Sequence, residues 1–380
     1  MKEPAKEPAK EPAKPPEMSA SASRGAATDP ARPGLERIPS YRSGPLPGVD
    51  LDLRDNLNLW GAPPRAMAAV RGAAESLVRS YPTTNAVELS AAIAESAGID
   101  LSEVVAGCGS DDVIDACFRA VASPGEQVAH ADPTFSMAPI LARLNGLEPV
   151  AVPLLRDGAA DVDALLATDA RVIYLCSPNN PTGSVTPDAE IRRLVERAPG
   201  VVLIDAAYAE FAEGADWRAE AVAMGKVLVT RTFSKAWGLA GLRVGYGVGS
   251  AALVDAVAKA RGPYKVSAIA ELAALTALRE DGDWMLRTSR EAIAARERLA
   301  SALRGRPGVR VHDSRGNFVL LEVAARATEL AARFQSRGIG VRALPGLTGY
   351  GDTLRIGVAP WDRLERVVTV AEELWPRSSS

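Results

Sequence analysis

The sequence has only two histidines, His130 and His312, and three cysteines, Cys108, Cys117 and Cys176. Their spacing is not that of a metal-ligand set, so no zinc centre is expected. So few histidines also leave little room for a Ser-His-Asp triad. Each cysteine sits in an apolar segment and reads as a small core residue in a reduced compartment. No uninterrupted apolar run is long enough to span a bilayer, and no secretory apolar stretch follows Met1. An excess of one charge is missing too. The net charge is −3 over 380 residues, which gives no footprint for nucleic acid or an acidic membrane. An enzyme with this inventory draws its chemistry from a cofactor, and the expected location is the cytoplasm.

Residues 1–45 differ from the rest. KEPAKEPAKEPAKPPE repeats a unit of Lys, Glu, Pro and Ala, and a Ser/Ala/Gly/Pro stretch follows. Such a segment buries too little apolar surface to offset its ordering entropy, and a proline every fourth residue rules out a helix. A disordered tail is expected there. From about Asp50 onward, short β-rich runs alternate with amphipathic helical runs. The strands are expected at 104–107, 127–131, 149–154, 171–176, 201–205, 227–232 and 243–249. Alternation of this kind implies βαβ units and a mainly parallel sheet covered by helices. The reading is therefore α/β, with a large domain over 81–305 and a smaller α+β domain over 306–380. Residues 46–80 are expected to pack with the smaller domain.

Ligands of such sheets collect at the carboxyl ends of the strands. Four strand ends carry unusual polar groups. GCGSDD follows the first strand, with a helix expected to start near Ser110; its free amides suit an anion, although Ser and Asp are also ordinary caps. SPNNPTGS follows 171–176 as a rigid turn. Asp205 ends an apolar strand, where a carboxylate needs a partner; a pyridinium nitrogen would serve, and Tyr208 lies three residues on. TFSKAWGLAGLR follows 227–231. Lys235 there is either a solvated turn residue or a nucleophile for a carbonyl. Thr232, Ser234 and Arg243 together suit a phosphate. A phosphate cradle, a lysine for an aldehyde, a carboxylate for a ring nitrogen, and Asn and Tyr for a ring oxygen make up the needs of pyridoxal 5′-phosphate.

SPNNPTG, the DAAY turn, SKAWGLAGLRVGY and LRIGVA resemble the fold-type I pyridoxal-phosphate enzymes of the class I/II aminotransferase group. The likeness is to the histidinol-phosphate aminotransferase branch and runs from about residue 50 to 376. It implies Lys235 as the Schiff-base lysine, Asp205 as the pyridinium partner, and Asn180 and Tyr208 at the ring oxygen. It implies Gly109, Ser110, Asp111, Ser234 and Arg243 at the phosphate, with Thr232 beside them, and Phe135 stacked on the ring. Arg355 would clamp a substrate carboxylate or phosphate. Tyr81 would reach the phosphate of a neighbouring subunit, which implies a homodimer with shared sites. Asn58 and Trp60, in the NLNLWG segment at 56–61, would border the substrate. Leu57, Leu59, Trp60, Phe135 and Ala206 depart from the residues usual in the group. These departures favour a larger or less polar amine than histidinol phosphate, or a specialised-metabolism intermediate.

The implied reaction is transfer of an amino group from an amino acid or amino-phosphate donor to a 2-oxo acid acceptor. Decarboxylation of an amino-acid phosphate, or another specialised-metabolism reaction, would use the same cofactor residues. A non-catalytic sensor would need a DNA-binding module, for which the first 45 residues lack a basic helical pattern.

Overall fold

The computed structural model describes residues 34–38, 44–214 and 216–376. The chain divides into Met1–Pro39 and Ser40–Ser380. In the first unit the described part is a 3₁₀ turn at Leu35–Arg37. Most of the tail expected at 1–45 lies outside the described residues. Every strand among the described residues belongs to the second unit.

That unit opens with a short strand, β1 (Leu51–Asp52). Seven strands then build a large sheet: β2 (Val104–Gly107), β3 (Gln127–Asp132), β4 (Glu148–Pro153), β5 (Ala170–Cys176), β6 (Val201–Asp205), β7 (Val227–Thr232) and β8 (Gly245–Gly249). Their order is β2-β8-β7-β6-β5-β3-β4. All neighbours are parallel except β8, which runs antiparallel to both β2 and β7. Every residue of β2, β6 and β8 is buried. This explains why these strands read as unbroken runs of small and β-branched residues: helices cover both faces of the sheet. The cores on the two faces are separate. One gathers Phe118, Tyr174 and Leu203, the other Ile173, Ile204 and Trp217.

A second sheet follows the long helix Gly282–Leu303. It contains β9 (Val309–His312) and β10 (Phe318–Val323). After β11 (Ile339–Gly340) come β12 (Arg342–Leu347) and β13 (Gly351–Gly357). The antiparallel order is β12-β13-β10-β9, while β11 pairs in parallel with β1. Leu51 and Leu53 share one core with Leu299, Phe318, Ile356 and Val367. The N-terminal end of the unit is thereby fixed beside β13, and Gly357 donates its N–H to Leu53 O at 2.9 Å.

Two local expectations change. The strand expected from residue 243 starts at Gly245, because Arg243 adopts a left-handed φ of 54°. Cys108, expected in the core, is exposed, whereas Cys117 and Cys176 are buried. The turn from Gly107 to Gly109 lifts Cys108 out of the strand, and its N–H bonds Asp112 Oδ2 at 3.0 Å.

Candidate active site

The parallel strands β3, β5, β6 and β7 all point their carboxyl ends to one edge of the large sheet. There they face residues 55–57 and the sheet of β12 and β13 across a cavity of about 640 Å³. Lys235, Asp205, Tyr208, Asn180, Phe135, Ser110, Asp111, Thr232, Ser234, Arg243 and Arg355 all line it. Residues as far apart in sequence as Ser110 and Arg355 therefore meet because the strands that carry them end side by side.

Lys235 follows β7 and is half-buried. Its Nζ donates to Asp55 O at 2.8 Å and lies 5.8 Å from the centre of the Tyr208 ring. Burial, helped by Arg355 and Arg243, pulls its pKa down to about 8, against the opposing charges of Asp111 and Asp55. Such an amine is part-deprotonated near neutrality and is a competent nucleophile.

Asp205 ends β6 and is 3% exposed. Burial pushes its pKa up to about 6, and Asp111 adds to this. Three donors resist the shift: Tyr174 Oη at 2.6 Å, Ala207 N at 3.2 Å and Thr230 Oγ1 at 3.4 Å. A buried carboxylate held by donors, with its protonation near balance, is suited to a cationic partner entering the cavity.

Tyr208 presents its hydroxyl to Asn56, whose Nδ2 donates at 3.0 Å. Burial pushes this phenol above its ordinary range, so it stays protonated and can donate. Its ring packs edge-on against Phe318 at 5.3 Å. Asn56 itself lines the cavity at a left-handed φ of 53°. Its Oδ1 is buried without a hydrogen-bond partner among the described residues.

Another stretch of the cavity wall is rich in hydrogen-bond donors. The helix Ser110–Val121 starts here, after Gly109 at a φ of 79°. A Cβ on Gly245 would stand 2.3 Å from the Ser110 nitrogen; glycine there lets the helix start sit directly on β8. Arg243 Nη1 donates to Ser234 Oγ at 3.2 Å, and Nη2 to Asp111 Oδ2 at 3.3 Å. A Cβ on Gly109 would stand 2.7 Å from Arg243 Nη2. Thr232 Oγ1 accepts from Ser234 N at 3.1 Å and so shapes the turn. The helix amides, two hydroxyls and a guanidinium make an anion cradle.

At the roof, Arg355 of β13 donates to Asn180 Oδ1 and to Arg54 O. Arg342 of β12 is its register partner and pairs with Asp55.

Two expected residues fall elsewhere. Asn58 and Trp60 are not among the lining residues. Asn58 Nδ2 instead donates to Ala236 O at 2.8 Å, and Trp60 packs on the core of the smaller sheet. Asn56 and Leu57 stand at the cavity in their place, because Asn317 fixes Asn56 O at 2.9 Å and turns the chain there. Tyr81 is 85% exposed and stacks on Tyr264 with ring centres 5.1 Å apart. Sequence reasoning missed Asp55, Asn56, Tyr174, Arg342, Leu344 and Leu347.

Comparison with known proteins agrees with this geometry. The family model for aminotransferase class I and II matches residues 48–370. The chain belongs to the class I and II aminotransferases. It is 39% identical over 327 residues to a histidinol-phosphate aminotransferase of Ruegeria pomeroyi, covering 83% of this chain and 90% of that protein. It is 37% identical over 332 residues to an aromatic amino acid aminotransferase of Rhodococcus jostii, covering 86% and 90%. Among solved structures, the histidinol-phosphate aminotransferase of Sinorhizobium meliloti in complex with pyridoxal 5′-phosphate superimposes with a TM-score of 0.83 at 25% identity, covering 92% of this chain and 99% of that one. The α/β fold of a class I/II aminotransferase, a large mainly parallel sheet beside a small antiparallel one, is the fold expected from sequence. The chain is an enzyme of the transaminase type.

Among the described residues no helix is long and apolar enough to cross a membrane.

Proposed function

We propose that this aminotransferase carries pyridoxal 5′-phosphate on Lys235 and moves an amino group between an amino donor and a 2-oxo acid. The observation that carries the reading is that Lys235 lines one cavity with a buried carboxylate, Asp205, and an anion cradle built on Ser110, Ser234 and Arg243. The residues fit the cofactor on their own chemistry: with no Cβ, Gly109 lets the Arg243 guanidinium lie against the helix start of the cradle, and Asp205 is a buried carboxylate that a ring N–H would satisfy.

The bound cofactor supplies an aldehyde that condenses with amines and a ring that accepts the electron pair left when the α-proton departs. The chain supplies the rest. The helix start at Ser110, with Ser234 and Arg243, would hold the phosphate; Gly109, Asp111 and Thr232 would shape that cradle. Phe135 would cover one face of the ring. Asn180, whose Oδ1 is taken by Arg355, would offer Nδ2 to the ring oxygen, as would the Tyr208 hydroxyl. Asp205 would hold the proton of the ring nitrogen. Lys235 would anchor the aldehyde and, once freed, hold the substrate's α-proton on its amine. Arg355 orients the substrate through its anionic group. Lys235 is thus both anchor and general base.

The proposal includes a homodimer in the cytoplasm, with Tyr81 of each subunit directed to the other's phosphate. Its exposure supports this; a monomer in sedimentation would contradict it. The test of the reaction is Lys235→Ala. This variant should lose the visible cofactor absorbance and nearly all transamination. Carbon dioxide release without an oxo product would identify decarboxylation instead.

A further inference from the structure

Arg342 and Arg355 are direct register partners on β12 and β13. Directly opposed residues of an antiparallel pair leave the same face of the sheet side by side. Both line the cavity. A carboxylate stands with them: Asp55 Oδ1 pairs with Arg342 Nη2, with both side chains partly exposed to the cavity. Two guanidinium groups and one carboxylate sum to a single positive charge on this part of the wall.

We propose that Asp55 sets the charge of the anion accepted here, so that the site takes a carboxylate in preference to a phosphate monoester. The substrate class is then an α-amino acid rather than an amino-alcohol phosphate. A carboxylate carries one negative charge and matches the sum. A phosphate monoester carries close to two at neutral pH and meets the fixed carboxylate of Asp55 at its edge. Like charges held a few ångströms apart in a partly desolvated cavity discriminate strongly. Leu57, Leu344 and Leu347 line the same cavity, which suits an uncharged, apolar side chain.

The inference rests on the reading of Lys235 as the cofactor lysine, and the test separates the two. The holoenzyme is titrated calorimetrically at pH 8 with 3-phenylpropionate and with 2-phenylethyl phosphate, which share a ring and spacer and differ in the anion. The wild type should bind the carboxylate about tenfold more tightly. In Asp55→Asn the phosphate should gain about tenfold while the carboxylate changes by less than about threefold. Equal or tighter phosphate binding by the wild type overturns the proposal, and so does an unchanged ratio in a folded Asp55→Asn. Should that variant fail to fold, the wild-type ratio decides alone. The visible cofactor band of the same samples reports the underlying reading. Its absence overturns the role of Lys235, and its presence with the wrong ratio overturns only that of Asp55.

Discussion

Tyr174 donates its hydroxyl hydrogen to Asp205 across 2.6 Å, with both side chains buried. Burial pushes Asp205 up to about 6 and this bond holds it down. A hydrogen bond to a charged group contributes about 1.5–3 kcal/mol. Tyr174→Phe should therefore raise the Asp205 pKa by about one unit or more. Cofactor binding by the apo protein, which needs the ionised form, should weaken below about pH 6 in the wild type and below a higher pH in the variant. Fluorescence titration against pH checks this; coincident profiles would show that Tyr174 does not tune Asp205.

Lys235 gives a second pH signature. Its pKa falls to about 8 because burial disfavours the ammonium. The rate at which the apo protein captures the cofactor should rise roughly tenfold per pH unit below 8 and level off above it. Stability follows the same shift. Between about 8 and the ordinary lysine value of 10.5 the unfolded chain binds more protons than the folded one, so apo-protein stability should rise with pH across that window. Lys235→Met removes the desolvated amine. It should raise the Tm of the apo protein at pH 7, with the gain shrinking from pH 8 to 10.5. A lower Tm would contradict the burial cost.

Gly109 tests the anion cradle. Its φ is 79°, and an added Cβ would stand 2.7 Å from Arg243 Nη2. Gly109→Ala is therefore strained and displaces the guanidinium. Affinity for pyridoxal 5′-phosphate should fall by about tenfold or more, the worth of one charge-assisted bond. Affinity for pyridoxal, which lacks the phosphate, should fall less. Equal losses would mean a collapsed site and not a damaged cradle.

The strand ends were legible in the sequence because each is an apolar run that stops at a polar residue. Asp205 after VVLI stands out for that reason, and Lys235 because small and apolar residues, AWGLAGL, follow it directly. The glycines of GCGSDD and the prolines of SPNNPTG mark turns by their own backbone limits. Residues 55–60 lack any such rule. No periodicity says whether Asn56 or Asn58 faces the cavity; the contact with Asn317, distant in sequence, decides it. Tyr174 was hidden for a different cause. It lies inside a buried strand, where an aromatic residue reads as packing, and only the pairing of β5 with β6 brings its hydroxyl to Asp205. The Asp55–Arg342 pair spans 287 positions and has no local signature.

Arg355 should govern substrate affinity more than turnover. It is 8% exposed and braced by Asn180 and Arg54 O. Arg355→Ala removes charge-assisted bonds worth about 1.5–3 kcal/mol. KM for carboxylated donors should rise about 10- to 100-fold. An unaltered KM would place the anion elsewhere in the cavity.

The most direct measurement of the central assignment is chemical trapping. The purified holoenzyme is reduced with borohydride, which fixes a lysine–cofactor imine as a stable amine, and is then digested and mapped by mass spectrometry. The account predicts the cofactor mass on the peptide containing Lys235 and no such adduct in Lys235→Ala. An adduct on another lysine, or none in a protein that has taken up the cofactor, would contradict it.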